Sequence, residues 1–306
     1  MLLYQRTLAK KVKVTGIGLH SGMKVSLTVN PADSDTGICF RRIDVPGSPI
    51  ISAEALKVIA TENATTIGEG KFLINTVEHL LAVFYGLGIN NAYCEIDGPE
   101  IPIMDGSGAS FVFVLKEGGV ANLSKLKNFI VILSPIRVES DDRWAEFHPS
   151  SKLIIDSTIV FVHPLIKQQR EVFEFSCENF INDICRARTF AMLKDVDNLK
   201  RRGLAKGGSL DNAIVVDDYD VINPDGLRFK NEFVKHKILD TLGDISLLGY
   251  EIAGKVVTYK SGHYLNNLLC RKLLENPNCY DIVSASSLAP ETKISFGLPQ
   301  VIHQVS

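Results

Sequence analysis

Residues 231–247, NEFVKHKILDTLGDISL, decide how the chain is read. His236, Asp240 and Asp244 recur at i, i+4 and i+8, which on a helix turning about 100° per residue makes one polar stripe. Val234, Ile238, Leu242 and Ile245 cluster on the other side, so a helix over about 231–247 is expected. Two interpretations of the stripe stand open. It is the solvated side of an amphipathic helix, or it is half of a metal site, since an imidazole and a carboxylate one turn apart can grip the same ion. A tetrahedral catalytic zinc needs a third protein ligand and a free position for water, so the missing ligand would come from elsewhere.

Upstream of this helix the pattern is strand-like. Val25, Leu27 and Val29 alternate with polar residues, GICFRRI (37–43) follows, and Ala92, Cys94 and Ile96 alternate again. One helix interrupts them, from about Asn75 through TVEHLLAVFYGLG, with Val77, Leu80, Leu81, Phe84 and Leu87 at helical spacing and glycines 86 and 88 near its end. A second helix is expected after DGSGAS (105–110), and ANLSKLKN (121–128) is the linker candidate. Strand-like runs resume with FIVILSPIRV, RWAEF and KLIIDSTIVF, and an insert-like stretch covers about 189–222. After the 231–247 helix come the strand GKVVTY (254–259) and a helix starting near His263. Strands grouped before helices in each half indicate an α+β protein of two domains, 1–124 and 125–306. No internal sequence repeat is obvious, and the stretch about 189–222 has the apolar residues of a small β-α-β unit.

With 306 residues, 45% hydrophobic and 22% charged, the chain can bury a real core in each half. A net charge of -2 leaves no electrostatic footprint for a polyanion, so nucleic acid is not an expected partner. The six cysteines contain no C-x-x-C pair and are read as reduced and mostly buried. MLLYQRTLAKK lacks the apolar core of a signal peptide, and no segment reaches the ~18 apolar residues of a membrane span. A cytoplasmic monomer is expected.

Candidate chemistry gathers around few residues. GIGLHSG (16–22) lies between strand-like segments with no helix behind it, so it is rejected as a nucleotide-binding loop. Of seven histidines, His79 stands out because Glu78 precedes it near a helix start. Asn75 and Glu78 also have capping-box spacing, so Glu78 is either a base or a cap. His263 sits in a strand-to-helix turn, a place from which side chains often reach a cleft. Taken together, His79, His236 and Asp240 would supply two nitrogens and a carboxylate to a metal, Glu78 would be the base, and His263 the acid. Asp244 would hydrogen-bond His263 and favour its protonated form.

Longer motifs carry a resemblance. TVEHLLAVFYGLGINNAYCEIDGPEIPIMDGS, RARTF, GLAKGGSLDNAIV, GLRFKNEFVKHKILDTLGDISLLG and YKSGHYLN resemble, in order, motifs of the UDP-3-O-acyl-N-acetylglucosamine deacetylase family. The resemblance implies two α+β halves of similar topology, each layering a sheet against helices, with the active site at their junction and an inserted β-α-β unit in the second. It also implies zinc-dependent removal of acetate from an acylated UDP-sugar, the committed step of lipid A biosynthesis. It implies zinc on His79, His236 and Asp240, Glu78 as base, and His263 supported by Asp244 as acid. It also assigns the Thr189 hydroxyl to the oxyanion and Lys237 to a substrate hydroxyl or phosphate. An apolar passage for the acyl chain is implied, with Phe190, Leu193, Val196, Leu210, Ala213 and Val215 as its lining. Phe161 would stack on uracil, with Arg143 and Lys260 meeting phosphate or ribose oxygens. The alternatives are a zinc amidohydrolase for a different N-acetyl sugar, and a silent protein that only captures acylated sugar nucleotides.

Overall fold

Two five-stranded sheets with the same topology organise the computed structural model, which describes residues 4–287. The ends of the expected 1–124 and 125–306 division, and His303, lie outside the described residues. In the first sheet the spatial order is Val12–Ile17, Lys24–Asn30, Ala92–Ile96, Ile38–Arg42 and Ile51–Ser52. In the second it is Ile136–Ser140, Arg143–His148, Lys255–Tyr259, Ile154–Val160 and Gln168–Glu174. Successive pairings run antiparallel, antiparallel, parallel, antiparallel in both. Alternation sets the faces: Val25, Leu27 and Val29 are each at most 1% exposed, while their neighbours face outward. The protein is α+β.

The single parallel pairing in each sheet demands a long crossover into the middle strand. In the first half that connection, from Ser52 to Ala92, carries the helix Glu78–Leu87; in the second, from Glu174 to Lys255, it carries Glu232–Ser246. Both helices lie in the core. All ten residues of Glu78–Leu87 are buried, as are all of Glu232–Ser246 except Lys237 and Ser246. The polar stripe of the longer helix is therefore not a solvated face, because a second helix packs over it. Each apolar side chain enclosed here, such as Phe84 or Leu242, contributes about 1.5–3 kcal/mol of burial.

The two crossover helices cross at one point of backbone contact. A Cβ on Gly243 would stand 2.1 Å from the carbonyl oxygen of Glu78, so only glycine allows this approach. Glu78 and the middle of the longer helix are thereby brought together.

Each crossover also carries an insertion ahead of its helix. In the first half it is a small antiparallel sheet of Val58–Ala60, Thr66–Glu69 and Phe72–Ile74. In the second it is the expected β-α-β unit: Phe190–Met192 pairs in parallel with Ile214–Val216, with the helix Leu193–Arg201 between them. The helices Ala109–Gly118 and His263–Leu274 follow the two middle strands.

Two expectations are corrected. Residues 121–128 are not a linker but the strand Val120–Leu126, antiparallel to Tyr4–Leu8, followed by the strand Asn128–Ile132. Their polarity reflects a surface ribbon exposed on one side, so a boundary at 124/125 falls inside a strand. The helix expected from Asn75 begins at Glu78 with no side-chain cap, because Thr76 is left-handed at φ 58° and breaks the run. All six cysteines are free thiols, five of them buried. Among the described residues no helix is long and apolar enough to cross a membrane.

Candidate active site

At the helix crossing, His79, His236 and Asp240 are buried with one donor atom each, all within 4.8 Å of one another. Asp240 Oδ1 faces His79 Nε2 at 3.5 Å and His236 Nε2 at 3.2 Å, yet among the described residues it is buried without a hydrogen-bond partner. His236 explains why. Its Nδ1–H donates to the Ala187 carbonyl at 3.1 Å, which leaves Nε2 as a lone pair aimed at the carboxylate. Burial pushes its pKa down to about 3, with the nearby Asp240 working the other way, so the ring is neutral at pH 7. Two facing acceptors in a dry pocket repel unless a cation lies between them. Tetrahedral zinc at 2.0–2.1 Å from its ligands would space them by about 3.3 Å, close to both observed distances. The residues present fit a mononuclear metal.

Each carboxylate here has one oxygen tied and one presented. Asp240 Oδ2 accepts from Lys237 Nζ at 2.8 Å, leaving Oδ1 for the metal position. Glu78 Oε2 accepts from the Thr65 N–H at 3.0 Å, leaving Oε1 toward His263 Nε2 at 3.8 Å. Glu78 therefore does not cap its helix, and Asn75 instead accepts from the Thr66 hydroxyl at 2.9 Å. Asp244 Oδ1 accepts from the Thr65 hydroxyl at 2.5 Å, while Oδ2 accepts from His263 Nδ1–H at 2.9 Å and from Asn266 Nδ2 at 2.8 Å.

These contacts push Glu78 and His263 in useful directions. Burial raises the Glu78 pKa above the ordinary carboxylate value against the pull of His263 and His79, which suits a proton acceptor near neutral pH. For His263, burial opposes the charge, but Asp244 and then Glu78 outweigh it and hold the pKa up at about 9. The ring is thus protonated at pH 7.

Of the other predicted residues, Phe190 lies against this cluster. Phe190 stands 6.4 Å from the His236 ring, 5.5 Å from Phe161 and 5.0 Å from Phe233, with Lys237 Nζ 5.6 Å above it. The Thr189 N–H donates to the Gly106 carbonyl at 2.8 Å, and the residue directly precedes Phe190 in the chain. Ala213 is buried and Val215 half-buried, on or beside the strand Ile214–Val216. Leu193 and Leu210 are 45% and 40% exposed, and the helix carrying Leu193 and Val196 buries no residue. They are placed at the surface of the insertion, outside the apolar cluster around Phe161 and Phe190.

Arg143, Lys260 and Phe161 share one end of the second sheet, where Arg143 starts one strand and the others follow the ends of two more. Arg143 meets Asp141 at 3.4 Å, and Lys260 pairs with Asp142.

Sequence reasoning missed three contributors. Thr65 and Asn266 carry no spacing signal, and the Ala187 carbonyl has none at all. His20 was passed over with its glycine-rich loop. That loop wraps the buried Glu100, whose carboxylate accepts the His20 and Ser21 N–H groups at 2.8 Å and the Thr76 hydroxyl at 3.0 Å. Both ring nitrogens of His20 are enclosed.

An α+β frame that buries two imidazoles and a carboxylate around one point, with a carboxylate and a charged imidazole alongside, is that of a metal-dependent hydrolase. The LpxC family model, described as UDP-3-O-acyl N-acetylglycosamine deacetylase, matches residues 5–275. The chain is similar to proteins named UDP-3-O-acyl-N-acetylglucosamine deacetylase from several bacteria. It is 45% identical to that of Geobacter sp. (strain M21) over 98% of both chains. The Shewanella frigidimarina relative is 45% identical over 99% of this chain and 100% of its own, and that of Histophilus somni 49% over 92% and 94%. The chain belongs to the UDP-3-O-acyl-N-acetylglucosamine deacetylase family.

Proposed function

We propose that this protein hydrolyses the N-acetyl group of a UDP-3-O-acyl-N-acetylglucosamine, giving acetate and the free amine, in the committed step of lipid A biosynthesis. The observation that carries the reading is the orphaned Asp240 Oδ1 facing two imidazoles, with Glu78 next to His79 in the chain and His263 Nε2 3.8 Å from Glu78 Oε1. His79, His236 and Asp240 would hold a zinc ion, which would supply Lewis-acid chemistry for the acetamide carbonyl and for water.

The chain's own residues do the rest. Glu78 Oε1 accepts a proton from the attacking water as its oxygen bonds to the carbonyl carbon. The Thr189 hydroxyl donates to the oxyanion that develops, where a preorganised donor is most effective. His263 Nε2 then gives its proton to the nitrogen as the C–N bond breaks, and Asp244 keeps the imidazolium oriented through Nδ1. Lys237 holds Asp240 in place and lies over Phe190, within reach of a substrate oxygen. Phe161, Arg143 and Lys260 take the uridine diphosphate end, where Arg143 and Lys260 would exchange their aspartates for phosphate. The acyl chain runs along Phe190, Val215 and Ala213 and past Val196 toward Leu193 and Leu210 at the surface.

The first half contributes Glu78 and His79 and the second Thr189, His236, Asp240, Asp244 and His263, and the reading is of a cytoplasmic monomer. Acetate release tests it: the acylated UDP-sugar should be turned over far faster than its unacylated analogue, with about one zinc per chain. Equal rates would favour a different N-acetyl substrate, and no release with metal bound would leave only capture.

A further inference from the structure

We propose that Thr65 is a positioning residue that assigns the working oxygens of both Glu78 and Asp244, and so suspends His263 between them. The inference rests on the deacetylase reading for the roles of Glu78 and His263, and on geometry for the rest. Thr65 is 1% exposed and has its three polar groups hydrogen-bonded, two of them to the carboxylates of this cluster. Its N–H donates to Glu78 Oε2 at 3.0 Å, its hydroxyl to Asp244 Oδ1 at 2.5 Å, and its carbonyl accepts from the Val77 N–H at 3.2 Å.

A carboxylate free to rotate presents either oxygen. With Oε2 held, Glu78 turns Oε1 toward His263 Nε2; with Oδ1 held, Asp244 turns Oδ2 toward His263 Nδ1. Opposite edges of one imidazole are thus addressed by two carboxylates that a single side chain and its backbone have sorted. The same residue lies in the first half, whereas Asp244 and His263 belong to the second, so the contact also fixes the register of acid against base. An ordinary buried threonine would need a partner for its hydroxyl, but nothing in that requirement makes its N–H and O–H meet the two carboxylates that flank one histidine.

The variants Thr65→Val, which keeps the shape without the donor, and Thr65→Ser, which keeps the donor, separate positioning from packing. Measured on the full zinc-loaded chain, Thr65→Val is expected to lower kcat about 10- to 100-fold, the range for losing a hydrogen bond to a charged group. KM and zinc content should stay near wild type, and Thr65→Ser should restore most of kcat. In ¹⁵N-histidine-labelled protein the His263 Nδ1–H resonance should move in Thr65→Val and return in Thr65→Ser. A folded Thr65→Val with wild-type kcat and an unmoved resonance overturns the proposal. If that variant does not fold, Thr65→Cys, a weak donor of similar size, takes its place: lowered kcat with a moved resonance supports the proposal, and wild-type values of both overturn it. The two readings fail separately: no acetate release by the unaltered chain sinks the deacetylase reading, while the resonance needs no substrate and decides for or against Thr65.

Discussion

In both halves a buried helix occupies the crossover into the middle strand, yet Glu78–Leu87 offers its first turn and Glu232–Ser246 its middle. The first places Glu78 and His79 where helix N–H groups favour a negative charge. The second presents His236, Asp240 and Asp244 along one side over two turns. Equivalent elements of a repeated topology thus contribute unequal chemistry. What the frame repeats is the meeting of two helices; what each half adds is a different set of side chains and a different insertion at the same point of the chain.

That asymmetry can be broken at several points. His236→Ala removes a ligand from the second half and should abolish both turnover and stoichiometric zinc, read by metal analysis of chelator-free protein. Glu78→Ala, in the first half, should keep the zinc and lose about 10²–10⁴-fold in kcat, the usual contribution of a general base; near-normal turnover would sink the assignment. Thr189→Ala should cost about 10²–10³-fold in kcat with little change in zinc, as for loss of one oxyanion donor.

Smaller effects sharpen the comparison. Gly243→Ala drives a methyl into the Glu78 carbonyl, and overpacking of this kind costs about 1–3 kcal/mol, visible as a lower Tm together with reduced activity. The alkaline limb of kcat/KM should fall near pH 9, because His263 must be protonated to act and its pKa is held at about 9. Asp244→Asn withdraws the main charge that raises it, so the limb should move to lower pH. The same group is linked to stability: with a folded pKa above the unfolded value, His263 contributes fully below about pH 6.5, and that contribution is lost as pH rises through 9.

The helix over 231–247 is legible because three polar residues at one-turn spacing sit in an apolar run, and the structure moves its ends by only one residue each. Its environment is not legible. Periodicity shows that the stripe is polar but cannot tell solvent from another helix, and the deciding residue, Gly243, reads in sequence as a weak point. Likewise Asn75 and Glu78 have the spacing of a cap, but Thr76 at φ 58° breaks the local conformation that a cap requires. Val120–Leu126 reads as linker because a surface ribbon needs few apolar residues. Thr65 is hidden for a different cause: its partners lie 13 and 179 residues away, and a contact at such separations leaves no local pattern. The insertion is the least legible part, since Leu193 and Leu210 are expected in an apolar passage and stand exposed at its surface.

Placing both insertions ahead of the crossover helices has an evolutionary consequence. Phe190–Met192, Leu193–Arg201 and Ile214–Val216 leave and rejoin the chain before Glu232, so residues can be gained, lost or exchanged there without shifting the helix that bears His236 and Asp240. Selection can then edit a detachable appendage, while the helix that bears His236 and Asp240 stays under separate constraint.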